Sequence, residues 1–94
     1  MGDERLPLPS EHVVCRALDG GMVLVHLRTN RIYSLNPTGA RLWTLLSAGV
    51  ERAALREQLL AEFVVDPEQL DREIETLLQT FADQGLTTDG SAGT

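Results

Sequence analysis

The chain has 94 residues, a formal net charge of −6 and a single cysteine. That length suits one small domain, and a lone cysteine excludes a disulfide scaffold and favours a reducing cytoplasm. The N-terminal residues lack the basic and apolar regions of a signal peptide, and no apolar run approaches membrane-spanning length. We therefore expect a soluble, cytoplasmic protein.

Apolar patterning and turn residues predict three strands followed by three helices. The strands are expected at 12–18, 22–27 and 31–35, and the helices at 37–47, 51–63 and 66–84. This order predicts an α+β fold in which a small antiparallel sheet is covered on one face by helices, as in a winged helix-turn-helix. Residues 1–10 and 87–94 have compositions typical of flexible tails, which leaves a domain at 11–86.

The first two turns are readable from residue type. Residues 19–21, Asp-Gly-Gly, are expected to turn the chain after a first strand whose Val13, Cys15 and Ala17 face inward. Cys15 is then more easily explained as a small core residue than as a nucleophile. A two-residue turn at Thr29 and Asn30 would place Val25 opposite Ser34 in the second hairpin.

The helix ends carry capping signals. Asn36 followed by Pro37 predicts the start of the first helix, and Asp66 followed by Pro67, with Gln69 three residues after the cap, predicts the start of the last. Gly85 predicts the end of that helix. The last helix is therefore the element that the sequence defines best.

The last helix carries an apolar stripe that is wider on one side. Leu78 and Ala82 widen the stripe towards Asp71 and Glu75. Two interpretations stay open: both residues pack against the sheet, or they line a groove that is open to a ligand. The main stripe consists of Leu70, Ile74, Leu77 and Phe81.

Charge indicates what such a groove would accept. Residues 66–84 hold six acids and one base, Arg72. Asp71 and Glu75 stand four residues apart and repel each other, and Asp71 has no cation three or four residues away. A cationic partner would relieve this repulsion, although a solvated acidic face is the commoner meaning of such a run. The acids are Asp66, Glu68, Asp71, Glu73, Glu75 and Asp83.

Two other classes of function are disfavoured. Nucleic-acid binding depends on neutralising phosphates with basic side chains, and this chain has no lysine and an anionic last helix. Catalysis and metal binding lack a motif, because the chain has no HExxH, no CxxC and no phosphate-binding glycine loop. His26, in a strand, is expected to be a hydrogen-bonded structural residue. We expect neither an enzyme nor a cofactor.

Two stretches of the sequence carry a family resemblance. Residues 28–43 read RTNRIYSLNPTGARLW, and residues 61–68 read AEFVVDPE. Together with the closing Gly85-Leu86, they resemble the PqqD-like proteins, which are also called RiPP recognition elements because they bind precursors of ribosomally made, modified peptides. The resemblance covers residues 10–86. One departure is the start of the second helix, where Gly49-Val50-Glu51 replaces the Ser or Thr cap that is frequent in relatives.

The resemblance implies a peptide-binding winged helix of three strands and three helices. In that family the leader segment of a precursor adds as an antiparallel strand along the third strand and places side chains between that strand and the third helix. Either Tyr33 or Ile32 would line the groove beside Leu35, and Asp71 and Glu75 would form its acidic rim. The implied site residues are Arg31, Ile32, Tyr33, Ser34, Leu35, Asp71, Ile74, Glu75, Leu78 and Ala82.

Family habit and charge favour the lasso-peptide class. In such pathways the free-standing leader-binding protein works with a cysteine-type leader peptidase and an ATP-dependent cyclase, and leaders often begin with lysines that would suit an acidic rim. One alternative is a peptide chaperone for a radical enzyme of cofactor biosynthesis. A second alternative, of a different class, is a small regulatory or docking module whose acidic helix binds a protein partner.

Overall fold

A computed structural model describes residues 6–88 of the chain. The three strands form one antiparallel sheet in the order β1-β2-β3, and the three helices follow them. The predicted α+β class is confirmed, and every predicted element lies within one residue of its expected bounds. The elements are β1 (Val13–Leu18), β2 (Gly21–His26), β3 (Arg31–Leu35), α1 (Pro37–Ser47), α2 (Arg52–Glu62) and α3 (Pro67–Asp83).

The predicted caps form. The Asn36 side chain accepts a hydrogen bond from the Gly39 amide at 2.8 Å, and the Asp66 carboxylate accepts one from the Gln69 amide at 3.2 Å. At the other end of α3, Gly85 takes a φ of +72°, which only glycine adopts without strain. By contrast, Glu51 stands at the cap position before α2 and makes no side-chain cap, as the departure in its sequence suggested.

The β2–β3 hairpin differs from the expected register. Val25 pairs with Ile32 rather than with Ser34, so residues 27–30 form a four-residue loop. The longer loop is stabilised locally, because the Asn30 amide donates to the His26 carbonyl at 2.7 Å and the Arg28 amide donates to the His26 ring at 3.2 Å. A shift of two residues keeps each side chain on its expected face of the sheet.

The core lies between the sheet and the helices. Leu24 at the centre of β2 is fully buried, and Trp43 of α1 meets Phe81 of α3 edge to face with ring centroids 5.2 Å apart. Cys15 is exposed, so the expectation that it is a core residue is wrong. Cys15 pairs with buried Leu24 on the neighbouring strand and therefore lies on the sheet face that carries the core. On β1, however, most residues of this face are exposed. The buried apolar residues are Leu24, Leu42, Trp43, Leu45, Leu46, Leu55, Leu59, Leu70, Ile74, Phe81 and Leu86.

Two segments that flank the domain lie beside each other. Pro9 and Thr87 form an isolated antiparallel bridge, and the Ser10 amide donates to the Leu86 carbonyl at 2.9 Å. The outermost residues of the proposed tails, 1–5 and 89–94, lie outside the described residues, and tail flexibility stays a prediction. No helix within residues 6–88 is long and apolar enough to cross a membrane.

The core predicts a large effect for Leu24→Ala. Removing this fully buried side chain from the centre of the sheet should lower the free energy of unfolding by about 2–5 kcal/mol, because a cavity adds to the lost transfer energy. Urea denaturation followed by Trp43 fluorescence measures the change. Leu27→Ala is the matched control, since Leu27 is 55% exposed and should cost much less. Equal losses in the two variants would contradict the assigned core.

Candidate functional site

The outer edge of β3 is the first feature of the candidate site. β3 pairs with β2 on one side, and within residues 6–88 no strand pairs with its other side. The backbone of Arg31–Leu35 therefore presents hydrogen-bonding groups along an open edge. Such an edge is a template for a further strand.

The two faces of β3 differ in burial. Tyr33 and Leu35 are half-buried and pack against the core, on the same face as Leu24. Ile32 is 67% exposed, and it shares the outer face with Ser34. The face of β3 that borders the helices is therefore the Tyr33 face, and Ile32 lies on the opposite face.

One stripe of α3 is buried in the core. Leu70, Ile74 and Phe81 are at most 2% exposed. Ile74 belongs to the expected groove residues, but its side chain is enclosed by the core and not open to a ligand. The accessible parts of α3 are the two flanks on either side of this stripe.

The flank that carries Asp71 and Glu75 faces α2. The Arg56 guanidinium donates to the Asp71 carboxylate at 2.6 Å, and Arg52 pairs with Glu75. Leu78 and Ala82 follow these acids at helical spacing and lie on the same flank. Leu78 is half-buried against the core, and Ala82 is exposed. The expected acidic rim is thus occupied by cations from the neighbouring helix.

These pairs also shift protonation equilibria. The hydrogen bond from Arg56 lowers the pKa of the Asp71 carboxyl below its usual value, and the same contact raises the pKa of Arg56. A similar pair joins α1 to α2. There the hydrogen bond from Arg41, and to a lesser degree the one from Gln58, lowers the pKa of Glu62. The three helices are therefore connected by charged side chains on their exposed surfaces.

The opposite flank of α3 borders an open cavity. This cavity has a volume of about 280 Å³ and lies where β3 passes into α1, since Asn36 forms its strand-side wall. Glu73 and Leu77 are half-buried there, whereas Thr76 is exposed. The helix side of the cavity is lined by Gln69, Arg72, Glu73, Thr76 and Leu77.

The middle of β3 and its cavity end are not alike. At the middle of the strand, the Tyr33 hydroxyl donates to the Gln84 side chain at 2.9 Å, which joins β3 directly to the C-terminal cap of α3. Beyond the end of the strand, Asn36 and α3 line the cavity. The space between strand and helix is thus bridged at Tyr33 and open at Asn36.

The structure divides the expected site into two groups. Arg31–Leu35 lie together on the open edge, as expected, but the helix residues Asp71, Glu75, Leu78 and Ala82 lie on the α2 flank. Sequence reasoning missed the residues of the cavity and Gln84. A signal was available, because Arg52 and Arg56 have the same spacing of four residues as Asp71 and Glu75. Within residues 6–88 no cluster of His, Cys, Asp and Glu could hold a metal ion.

Comparison with known families identifies the chain. The family model of Coenzyme PQQ synthesis protein D (PqqD) matches residues 21–86. The chain belongs to the PqqD family. This match covers β2, β3 and all three helices, and the recognition of a PqqD-like protein from residues 28–43 and 61–68 is confirmed. No curated protein matches the chain by sequence.

Two solved structures resemble this PqqD-family chain over nearly their full length. TbiB1 in complex with the TbiA(beta) leader peptide is 29% identical, with a TM-score of 0.78 over 93% of this chain and 96% of that chain. Lasso peptide synthetase B1 complexed with the leader peptide is 25% identical, with a TM-score of 0.77 over 86% of this chain and 95% of that one. Both neighbours are therefore leader-peptide complexes.

The ion pair between α2 and α3 predicts a titration effect. In Arg56→Gln the pKa of Asp71 should rise towards the ordinary value of about 3.9, because its main hydrogen-bond donor is lost. Since the folded-state pKa of Asp71 is lowered, the pair stabilises the wild type above the unfolded-state pKa, and this contribution disappears as the pH falls through the folded-state pKa. Carboxyl ¹³C NMR titration measures the shift. Arg72→Gln on the other flank should leave Asp71 unchanged, and an equal shift there would refute the assignment.

Proposed function

We propose that this protein binds the leader segment of a ribosomally synthesised precursor peptide, without catalysing a reaction itself, and delivers it to modifying enzymes. The observation that carries the proposal is the unpaired edge of β3 beside a cavity against α3. Two structural neighbours of nearly equal length, each in complex with a leader peptide, support it. The mode of binding is strand addition, in which main-chain bonds set the register and pockets set the specificity.

Antiparallel addition fixes the direction of the peptide. A leader strand that runs opposite to Arg31–Leu35 begins beside Leu35 and ends beside Arg31. Its N-terminal part then lies next to the cavity at Asn36, where a volume of about 280 Å³ is available for a large side chain. Its middle part lies beside Tyr33, which is bonded to Gln84 of the α3 cap.

The proposed site keeps the strand residues and changes the helix residues. Arg31–Leu35 supply the backbone, and Tyr33 and Leu35 form the inner wall. On α3 the contacts come from the cavity flank, chiefly Leu77, Glu73 and Thr76, because Ile74 is enclosed and Asp71 and Glu75 are bonded to α2. Leu78 and Ala82 belong to the other flank and are not part of this proposal.

The energetics make apolar anchors necessary. About four new backbone hydrogen bonds would contribute roughly 0.5–1.5 kcal/mol each. Ordering a disordered peptide costs on the order of 2–5 kcal/mol or more, which offsets most of that gain. Net affinity must then come from apolar side chains of the leader in the cavity, so specificity depends on the apolar wall that Leu77 provides.

The lasso-peptide class is favoured because both neighbours carry leader peptides and one is a lasso peptide synthetase component. The proposed partners are the cysteine-type leader peptidase and the ATP-dependent cyclase of the same pathway, in the cytoplasm. The family model, which describes a cofactor synthesis protein, favours a second candidate, a peptide chaperone for a radical enzyme. Both candidates use the same edge of β3, and the identity of the precursor separates them.

A pair of adjacent variants tests which flank binds. Leu77 and Leu78 are both half-buried, but they lie on opposite flanks of α3. We expect Leu77→Gln to weaken leader binding by roughly tenfold or more through loss of an apolar contact, and Leu78→Gln to bind nearly as the wild type does. The probe is a fluorescein-labelled synthetic leader of the short precursor encoded in the neighbouring reading frames, and fluorescence anisotropy gives the affinity.

Thermal melts of both variants separate lost binding from lost folding. If Leu78→Gln alone lost affinity while it remained folded, the acidic flank would be the binding surface. If the wild type bound no leader, the proposed function would fail. A precursor with a lasso-type core would favour the peptidase and cyclase, and a precursor of cofactor type would favour the radical enzyme.

The outer face of the sheet supports the participation of partner enzymes. Val14, Val25 and Ile32 form one row across the three strands, and Val14 and Ile32 are 48% and 67% exposed. A contiguous exposed apolar patch is typical of a protein interaction site. This face would continue onto a leader strand added at β3, so an enzyme docked on it would lie beside the bound peptide. We assign the face to the leader peptidase.

Val14→Glu should separate docking from leader binding. A charge at the β1 end of this apolar row should slow leader removal by the pathway's peptidase by roughly tenfold or more, while the leader affinity stays unchanged because Val14 lies two strands from the binding edge. Mass spectrometry of the cleaved precursor measures the rate. Val14→Thr, which keeps the shape without a charge, is the control. If the peptidase removed the leader at the same rate with Val14→Glu as with the wild type, this face would not be the docking surface.

A further inference from the structure

His26 is a buried polar residue that the proposed function does not yet use. It ends β2, it is 7% exposed, and both of its ring nitrogens have protein partners. The Arg28 amide lies 3.2 Å from Nδ1, and the Gly85 carbonyl lies 3.1 Å from Nε2. Among the described residues, it thus bonds to both a strand loop and a helix end.

The two partners dictate the protonation of the ring. A backbone amide only donates, so Nδ1 must accept the bond from Arg28. A carbonyl only accepts, so Nε2 must carry the hydrogen that is donated to Gly85. Both bonds exist together only in the neutral ring with the proton on Nε2. A second proton would sit on Nδ1 and point at the Arg28 N–H group.

The partners of His26 belong to the two walls of the proposed groove. Arg28 lies in the loop that leads into β3, and Gly85 lies two residues after the end of α3. The next residue towards the helix, Gln84, accepts the bond from Tyr33 of β3. The C-terminal end of α3 is therefore held to the sheet by two side chains, one from β2 and one from β3.

We propose that neutral His26 is a positioning residue for leader binding, which fixes the loop before β3 and the end of α3 relative to each other. This inference rests on the proposed leader-binding function. His26 itself does not touch the leader. It acts through the Arg28 amide and the Gly85 carbonyl, and so sets the separation of strand and helix at the hairpin end of β3.

Groups from three other parts of the chain lie around His26. From the β1 side, the His12 ring stacks on it at 6.5 Å between centroids, and Glu11 lies near His12. From β3, Arg31 is its cross-strand partner. The end of α3 offers the neutral Gly85 carbonyl, while Asp83 accepts a bond from Gln79. With a proton on Nδ1, the ring could no longer accept the hydrogen bond from the Arg28 amide.

The expected consequence is a leader affinity that falls on acidification. Imidazole side chains change charge between about pH 5 and pH 8, and loss of one hydrogen bond corresponds to a change of roughly fivefold in affinity. We therefore expect the wild type to bind its leader roughly fivefold more weakly at about pH 5.5 than at about pH 7.5. The probe is the same fluorescein-labelled leader of the neighbouring precursor.

Substitutions at position 26 isolate this effect, because titration of the peptide itself is common to all variants. His26→Leu removes both bonds and should weaken binding roughly tenfold at neutral pH. His26→Gln keeps an uncharged amide that can donate to Gly85; it should restore most of the affinity and abolish the part of the pH profile due to His26. His12→Gln should keep the wild-type profile. Thermal melts report the folding of each variant.

Amide NMR of the leader-free protein gives a second readout. The Arg28 amide and the amides of residues 84–86 should shift together as the pH falls in the wild type, and should not do so in His26→Gln. Leader affinity of His26→Leu equal to that of the wild type would overturn the positioning role alone. A wild-type pH profile in His26→Gln would overturn it as well. No leader binding by the wild type at any pH would overturn the proposed function and this role together.

Discussion

The rotation of α3 about its own axis determines which of its side chains a ligand can reach. Leu70, Ile74 and Phe81 bury one stripe against the core, and apolar burial of this kind is the dominant stabilising term in a small domain. Arg52 and Arg56 of α2 contact the acids on one flank. Exposed pairs of this kind contribute little stability, but they occupy that flank. The remaining flank borders β3 and its cavity.

An unpaired edge strand is normally a liability, and its surroundings decide which partner it accepts. The edge of β3 offers backbone bonds to any extended chain, which alone gives no selectivity. In the binding mode that we propose, the cavity beside Asn36 adds a requirement for a side chain of suitable size near the start of the added strand. In the proposed binding mode, a peptide placed in the reverse direction would present its N-terminal anchor beside Arg31, away from the cavity at Asn36. Direction and anchor position are thereby linked.

The sequence predicted the architecture well because its signals are local. Caps at Asn36 and Asp66 depend on residues within one helical turn, and the structure has both. The register of the β2–β3 hairpin was wrong by two residues, because the loop is stabilised by the His26 ring, a contact that residue types alone do not reveal. Cys15 was misassigned for a related reason. Alternation gives the face of a strand, but burial depends on how far the helices extend across the sheet.

The side of α3 that borders the groove could not be obtained from α3 alone. Its acids were compared only with cations in the same helix, where Asp71 has none at the right spacing. The relevant cations, Arg52 and Arg56, are four residues apart on α2 and match the spacing of Asp71 and Glu75 across the interface between the helices. An acidic helix in a chain without lysine therefore does not by itself indicate a basic ligand. The charge on such a flank is meaningful for binding only after the arginines of the neighbouring helix have been assigned to their partners.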